Sequence, residues 1–203
     1  FEKAIRDNKI DIVIHLACIS NDPTFELNSK ISKIINYDCF EHLVKISKKN
    51  SVKKFIYAST SSVYGISNSP RVDETHELVP LTDYNKFKAM CEPILNNYIN
   101  DDFQGVTIRP ATVCGFSEKM RFDLTVNILT NFAYNKKIIN IFGGEQYRPL
   151  LHVKDVARAI ENSIKSKKRG IYNLSYKNMK IIDIAKEIQK YFKNTKIIKT
   201  KIK

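Results

Sequence analysis

The run D-I-V-I-H-L-A at residues 11–17 constrains this chain more than any other segment. It is short, rich in β-branched residues and apolar at successive positions. A strand with one wet face alternates apolar and polar residues, whereas a strand covered on both faces does not. A helical pattern follows over 28–49, with Ile31, Ile34, Ile35, Leu43, Val44 and Ile46 on one side. The alternation continues with a strand at 53–58, a helix at 83–101 and a strand at 105–109. A helix near 121–135, strands near 138–142 and 171–174, and helices near 154–166 and 181–193 complete it. Strands that alternate with helices form a parallel sheet with crossover helices, so the expected class is α/β with a doubly wound parallel sheet. Pro93 lies inside the helix that contains Tyr84, where it should remove a hydrogen bond and bend the helix.

Composition narrows the setting. With 203 residues, 43% of them hydrophobic, the chain can build one sizeable core. No apolar run approaches the ~20 residues of a membrane span, and the charged start F-E-K-A-I-R-D-N-K is unlike a secretory signal. Cys18, Cys39, Cys91 and Cys114 show no metal-ligand spacing. They read as reduced thiols of a cytoplasmic protein with no metal site. The net charge of +13 raises the question of nucleic acid. The lysines are dispersed, however, and no basic platform interleaved with aromatics appears, so the charge is read as solvated surface and no nucleic-acid partner is expected.

Candidate chemistry lies in two segments. F-I-Y-A-S-T-S-S-V-Y-G, residues Phe55 to Gly65, is a strand that ends in hydroxyls. Tyr84 and Lys88 then stand one helical turn apart, so that the ammonium can sit near the phenol. A free phenol, with a pKa of about 10, is a poor base at neutral pH; a neighbouring cation favours the phenolate. A hydroxyl such as that of Thr60, with Ser61 as the alternative, can donate to an oxyanion and accept from a hydroxyl. A second Tyr-x-x-x-Lys match, Tyr176 and Lys180, has no such context and is taken as coincidence.

These segments, together with Asn36, I-R-P-A-T-V-C-G and R-P-L-L-H-V-K-D-V-A, occur in the order and spacing of a known group. The chain resembles the extended short-chain dehydrogenase/reductase family, and within it the nucleotide-sugar epimerase/dehydratase branch. The similarity runs from about residue 10 to about residue 190. It implies a Rossmann-like sheet, here lacking its first strands, with NAD or NADP as cofactor. It also implies a catalytic Thr60, Tyr84 and Lys88, and cofactor contacts at Leu16, Ala17, Asn36, Ser59, Tyr84, Lys88, Pro110 and Val113. Ser61, Thr112, Asn127, Phe142 and Arg148 fall at substrate positions. Arg148 is the candidate grip on a nucleotide diphosphate, Phe142 the candidate stack on the base, and Asp155 a helix N-terminal residue. His15 ends the strand on which the family lays the cofactor, and a buried His satisfied by backbone fits it equally well. Cys114 stands where the family usually has Tyr.

Dehydratases of this branch carry Asp and Glu directly after the Thr, as acid and base for removing water. Here Ser61 and Ser62 occupy those places. The expected function is therefore an NAD(P)-dependent nucleotide-sugar epimerase or ketoreductase. A 4,6-dehydratase or a non-catalytic cofactor-binding regulator of the same fold is the alternative. Residues 1–115 are expected to form the cofactor-binding part. Residues 116–203 are expected to form mainly the substrate-binding part, with segments near 138–160 returning to the first. None of the six glycines forms a phosphate-cradling turn. About two further β-α units, roughly 60 residues, are expected upstream, and these 203 residues alone are expected to be inactive. A homodimer through the helices near 28–49 and 83–101 is a further expectation from the resemblance.

Overall fold

A computed structural model of the chain describes residues 1–20, 22–69 and 71–200. Two compact units account for it: residues 1–110 with 158–174, and residues 111–157 with 175–203.

The first unit is built on a four-stranded parallel sheet in the order β1-β2-β3-β7: β1 (Ile12–His15), β2 (Lys54–Ala58), β3 (Gln104–Pro110) and β7 (Gly170–Leu174). Strand β2 is buried along almost its whole length, and its alternate side chains divide between two cores. Phe55 and Tyr57 point into one, with Ile5 of α1 (Glu2–Asn8), Phe40, Val44 and Ile46 of α4 (Phe40–Lys49), and Cys91 and Leu95 of α5 (Asp83–Tyr98). Ile56 and Ala58 point into the other, with Val106, Ile108 and, from α7 (Val153–Lys165), Ile160 and Ile164. Helices thus cover both faces of β2, as a run apolar at successive positions requires. β1, expected to be covered on both faces, is only partly buried, because it lies at the end of the strand order and Ile14 is 40% exposed. Lys54, on the α7 side of β2 and 5% exposed, sends its ammonium to the carbonyls of Ser163, at 2.6 Å, and Ser166. It thereby caps carbonyls that the helix end leaves unpaired.

Where one helix was expected over 28–49, the chain forms α3 (Ser29–Lys33), a π turn (Ile34–Asp38) and α4, preceded by α2 (Asp22–Leu27). The amide of Cys39 donates to the carbonyl of Ile34, five residues back, and the extra residue in the turn turns Asn36 inward to 4% exposure. Helix α5 begins at Asp83, capped by the Thr82 side chain, and runs through Pro93 to Tyr98 without interruption.

In the second unit β4 (Thr112–Cys114) pairs in parallel with β6 (Tyr147–His152), which pairs antiparallel with β8 (Lys177–Lys180). β5 (Ile138–Phe142) pairs in parallel with β9 (Lys196–Thr200). Its core joins Leu129 and Ala133 of α6 (Thr125–Lys136), Ile139 and Ile141 of β5, and Ile184, Ala185 and Ile188 of α8 (Ile181–Tyr191). The division of the chain therefore differs from the expected one. Residues 138–157 stay in the second unit because β5 and β6 pair there, and the segment that returns to the first unit is 158–174. Residues 111–115 leave the first unit because β4 pairs with β6.

Candidate active site

In the first unit, Lys88 is the anchor. It is 3% exposed, its Nζ donates to the carbonyl of Ala58 at 2.7 Å, and it lies 5.0 Å from the centroid of the Tyr57 ring. The Tyr57 hydroxyl donates in turn to the Lys88 carbonyl at 3.3 Å. An ammonium removed from water needs such partners, and a carbonyl and a ring face supply them. The charge is felt nearby. His15, packed among the rings of Phe40, Phe55 and Tyr57, has its pKa lowered to about 4, by burial first and by Lys88 second. It is neutral at neutral pH, a ring of the core rather than a charged group.

Tyr84 is half-buried one turn before Lys88, its ring edge-on to Phe25 at 6.5 Å. Thr60 stands two residues beyond the end of β2. Its backbone is extended (φ −157°), and its Oγ1 accepts from the amide of Ser62 at 3.2 Å, capping a 3-10 turn (Ser61–Tyr64) against which α5 packs. The hydroxyl oxygen accepts in this cap, which leaves the hydroxyl proton to donate. Gly65 ends the turn at φ +65°, and a Cβ there would lie 2.1 Å from the carbonyl oxygen of Val79. Only glycine lets the following loop close back on the turn.

Two residues expected on the cofactor make hydrogen bonds within the protein. Ser59 is 4% exposed and its hydroxyl donates to Glu92 at 2.5 Å, which commits it to the frame of the site. Asn36 spends its side-chain amide on one residue, accepting from the amide of Ile19 at 2.8 Å and donating to its carbonyl at 3.0 Å. It latches the loop that follows β1. Leu16 and Ala17 lie beyond the carboxyl end of β1 and are exposed, and Pro110 is the last residue of β3.

Thr112 and Val113 belong to the second unit, on β4 opposite Leu150 and Leu151. So do Asn127, Phe142 and Arg148. Asn127 is 6% exposed; it donates to the carbonyl of Arg121 at 2.9 Å and accepts from the amide of Gly115 at 3.4 Å, stapling the segment that precedes α6. Phe142, at the end of β5, is 64% exposed. Arg148 is also exposed, and its Nη1 donates to the carbonyl of Tyr147. Between them Glu145 pairs with Lys199 at 2.9 Å and Lys180 at 3.0 Å, which pull its pKa down to about 2. Lys180 ends β8 and Tyr176 precedes that strand, so the second Tyr-x-x-x-Lys match does not lie on one helix.

The sequence matches the family described as "NAD dependent epimerase/dehydratase family" over residues 1–175. The chain belongs to this family. It is 30% identical over 193 residues to the dTDP-D-glucose 4,6-dehydratase of Homo sapiens, covering 92% of this chain and 54% of that protein. It is 31% identical over 175 residues to the UDP-glucuronate 4-epimerase of Thermodesulfobacterium geofontis, covering 81% of this chain and 51% of that one. Among solved structures, the UDP-N-acetylglucosamine 4-epimerase of Methanobrevibacter ruminantium superimposes with a TM-score of 0.87 at 27% identity, over 98% of this chain and 66% of that one. The chain spans about half the length of the curated relatives it matches.

This member of the epimerase/dehydratase family also holds a buried polar cluster beside the hydroxyl turn, whose members no local motif marks. Arg109 and Glu92 form an ion pair at 2.5 Å, with side chains 3% and 2% exposed. Arg109 also donates to the Tyr64 hydroxyl at 2.5 Å, and Tyr64 donates to Asn173 at 2.7 Å. The available signal was charge out of place: an arginine closing the apolar strand V-T-I-R, and a glutamate four residues after Lys88 on the same helix.

Proposed function

We propose that the full-length protein is an NAD(P)-dependent nucleotide-sugar epimerase or ketoreductase that works at a sugar carbinol or keto carbon. The observation that carries this reading is Lys88, which is buried, stands one turn from Tyr84 and is fixed on the carbonyl of Ala58, itself two residues before Thr60 in the chain. Lys88 projects its charge toward the neighbouring phenol and favours the phenolate. Tyr84 then exchanges a proton with the sugar oxygen, and Thr60 donates a hydrogen bond to that same oxygen as its charge changes. The residues present fit the nicotinamide end of the cofactor: Leu16 and Ala17 offer exposed apolar surface beyond the carboxyl end of β1, the side on which α/β sheets bind ligands. When bound, the nicotinamide supplies the hydride acceptor and donor. Arg148 would take a diphosphate oxygen, Phe142 would stack on the base, and Thr112 and Asn127 would line the substrate, all within the second unit. A homodimer through the helical segments near 28–49 and 83–101 completes the proposal.

A second reading, a 4,6-dehydratase, draws support from the human relative. Against it, residues 59–64 read S-T-S-S-V-Y, with no carboxylate to remove water. The test is incubation of the full-length protein with a panel of UDP- and dTDP-sugars and either cofactor. A new epimer without net cofactor consumption identifies an epimerase, and stoichiometric oxidation of reduced cofactor a reductase. A 4-keto-6-deoxy product would establish the dehydratase and refute the argument from Ser61 and Ser62.

A further inference from the structure

Thr60 sits in the short segment Ser59–Tyr64, and one ion pair holds both ends of that segment. At the first end, the Ser59 hydroxyl donates to Glu92 Oε1 at 2.5 Å. At the last, the Tyr64 hydroxyl accepts from Arg109 Nη1 at 2.5 Å, and the Tyr64 ring lies 4.9 Å from the guanidinium. Between the two, Arg109 grips Glu92 with two donors, Nε to Oε1 at 3.1 Å and Nη2 to Oε2 at 2.5 Å. The two ends are therefore coupled through a fork of fixed geometry. Glu92 is also the third residue, after Tyr84 and Lys88, in a series spaced by four along α5, so all three share one side of the helix. The helix that carries the Tyr/Lys pair thus also carries the carboxylate that fixes the turn with the hydroxyl.

Energy alone does not explain such a pair. Burying two charges costs about as much as their attraction returns, and apolar residues of the same size are often as stable or more so. What the pair adds is direction. We propose that Glu92 and Arg109 are positioning residues that clamp the Ser59–Tyr64 segment to α5 and so fix the Thr60 hydroxyl with respect to Tyr84 and Lys88. The consequence for catalysis rests on the reading that Thr60 acts on the sugar oxygen; the clamp itself does not.

Ser59→Ala and Tyr64→Phe each release one end of the segment and leave the ion pair whole, so the fold survives both. By 15N relaxation of the full-length protein, the amides of Thr60, Ser61 and Ser62 should fall from a rigid order parameter of about 0.85 to below about 0.6 in each variant. The amide of Thr107, in the middle of β3, should not move. Unchanged order at Thr60 in both variants would overturn the clamp. Kinetics with NAD and UDP-glucose as probe supply the second arm. Each variant should lower kcat about ten- to a hundredfold at unchanged KM. In a Thr60→Ala background the same changes should cost nothing more, because the group they position is gone. Fully additive losses would refute the positioning role. A Thr60→Ala variant with full activity would instead refute the role of Thr60, with the relaxation data still deciding the clamp.

Discussion

With its ammonium on the Ala58 carbonyl, Lys88 holds a positive charge beneath the end of β2, and its neighbours record that charge in their own titration. His15 has an ordinary pKa of 6.5 and a folded pKa of about 4. Between those values the unfolded chain binds a proton at His15 that the folded chain does not. Its contribution to stability is therefore full above pH 6.5, is lost as pH falls toward 4, and changes no further below that. The urea midpoint should decline over that window, and His15→Phe, which keeps a ring in the cluster, should flatten the decline. Burial first, and then its neighbours Cys91, Tyr84 and Glu92, hold the Tyr57 phenol well above its ordinary value. Tyr57 is accordingly a neutral donor to the Lys88 carbonyl and no rival to Tyr84 as a base. Replacing Tyr84 by Phe should lower kcat by about 10²- to 10⁴-fold, the range of a lost acid-base group, with the KM for the sugar nucleotide little changed. A variant that retained full turnover would remove Tyr84 from the mechanism.

Among the elements, the π turn and α5 show how local irregularity serves position. The turn at Ile34–Asp38 gives Asn36 an inward bearing that a regular helix would not, and its amide then holds Ile19. Asn36→Ala should leave a buried donor and acceptor unpaired, at about 1–3 kcal/mol. Hydrogen exchange should show the effect first at the Ile19 amide, whereas loss of protection throughout the sheet would mean that the residue supports the whole core. Pro93 removes the donor that would pair with the carbonyl of Ala89, yet α5 continues through it, so the bend expected from sequence does not end the helix. Proline inside a helix is about 3 kcal/mol worse than alanine, partly offset by the stiffness it gives the unfolded chain. Pro93→Ala should therefore raise the stability by about 1–2 kcal/mol, read as a higher Tm. The elements that sequence revealed were those with strong periodicity or dense apolar character: β1, β2, β3, β5, β7, α4, α5, α6, α7 and α8. Those it hid were short or polar. β8 is K-N-M-K, β6 carries Pro149 and β4 has three residues, so pairing partners far along the chain decide their conformation. The site divides the same way. Thr60, Tyr84 and Lys88 stand in a recognisable local order, whereas the coupling of Ser59 to Glu92 and of Tyr64 to Arg109 joins residues 33 and 45 positions apart, beyond the reach of any local pattern.

For the molecule as a whole, the net charge of +13 means that folding gathers like charges. Raising sodium chloride from about 0.02 to about 0.3 M shortens the Debye length and should raise Tm through reduced self-repulsion; a fall would show that its surface ion pairs, such as those of Glu145, matter more. The arrangement of the four-stranded sheet has a practical side. Among the described residues β1 pairs only with β2, along one edge, and no charged residue interrupts I-V-I-H. Ile14 and Leu16 are 40% and 53% exposed beside that edge. Chains that leave such a ribbon uncovered invite strand addition from any extended neighbour, and natural proteins blunt it with lysine, proline or a covering segment. At the concentrations used for crystals or calorimetry, these 203 residues handled alone carry a nucleus for aggregation at β1, and a lysine or glutamate in place of Ile14 is the gatekeeper that would suppress it.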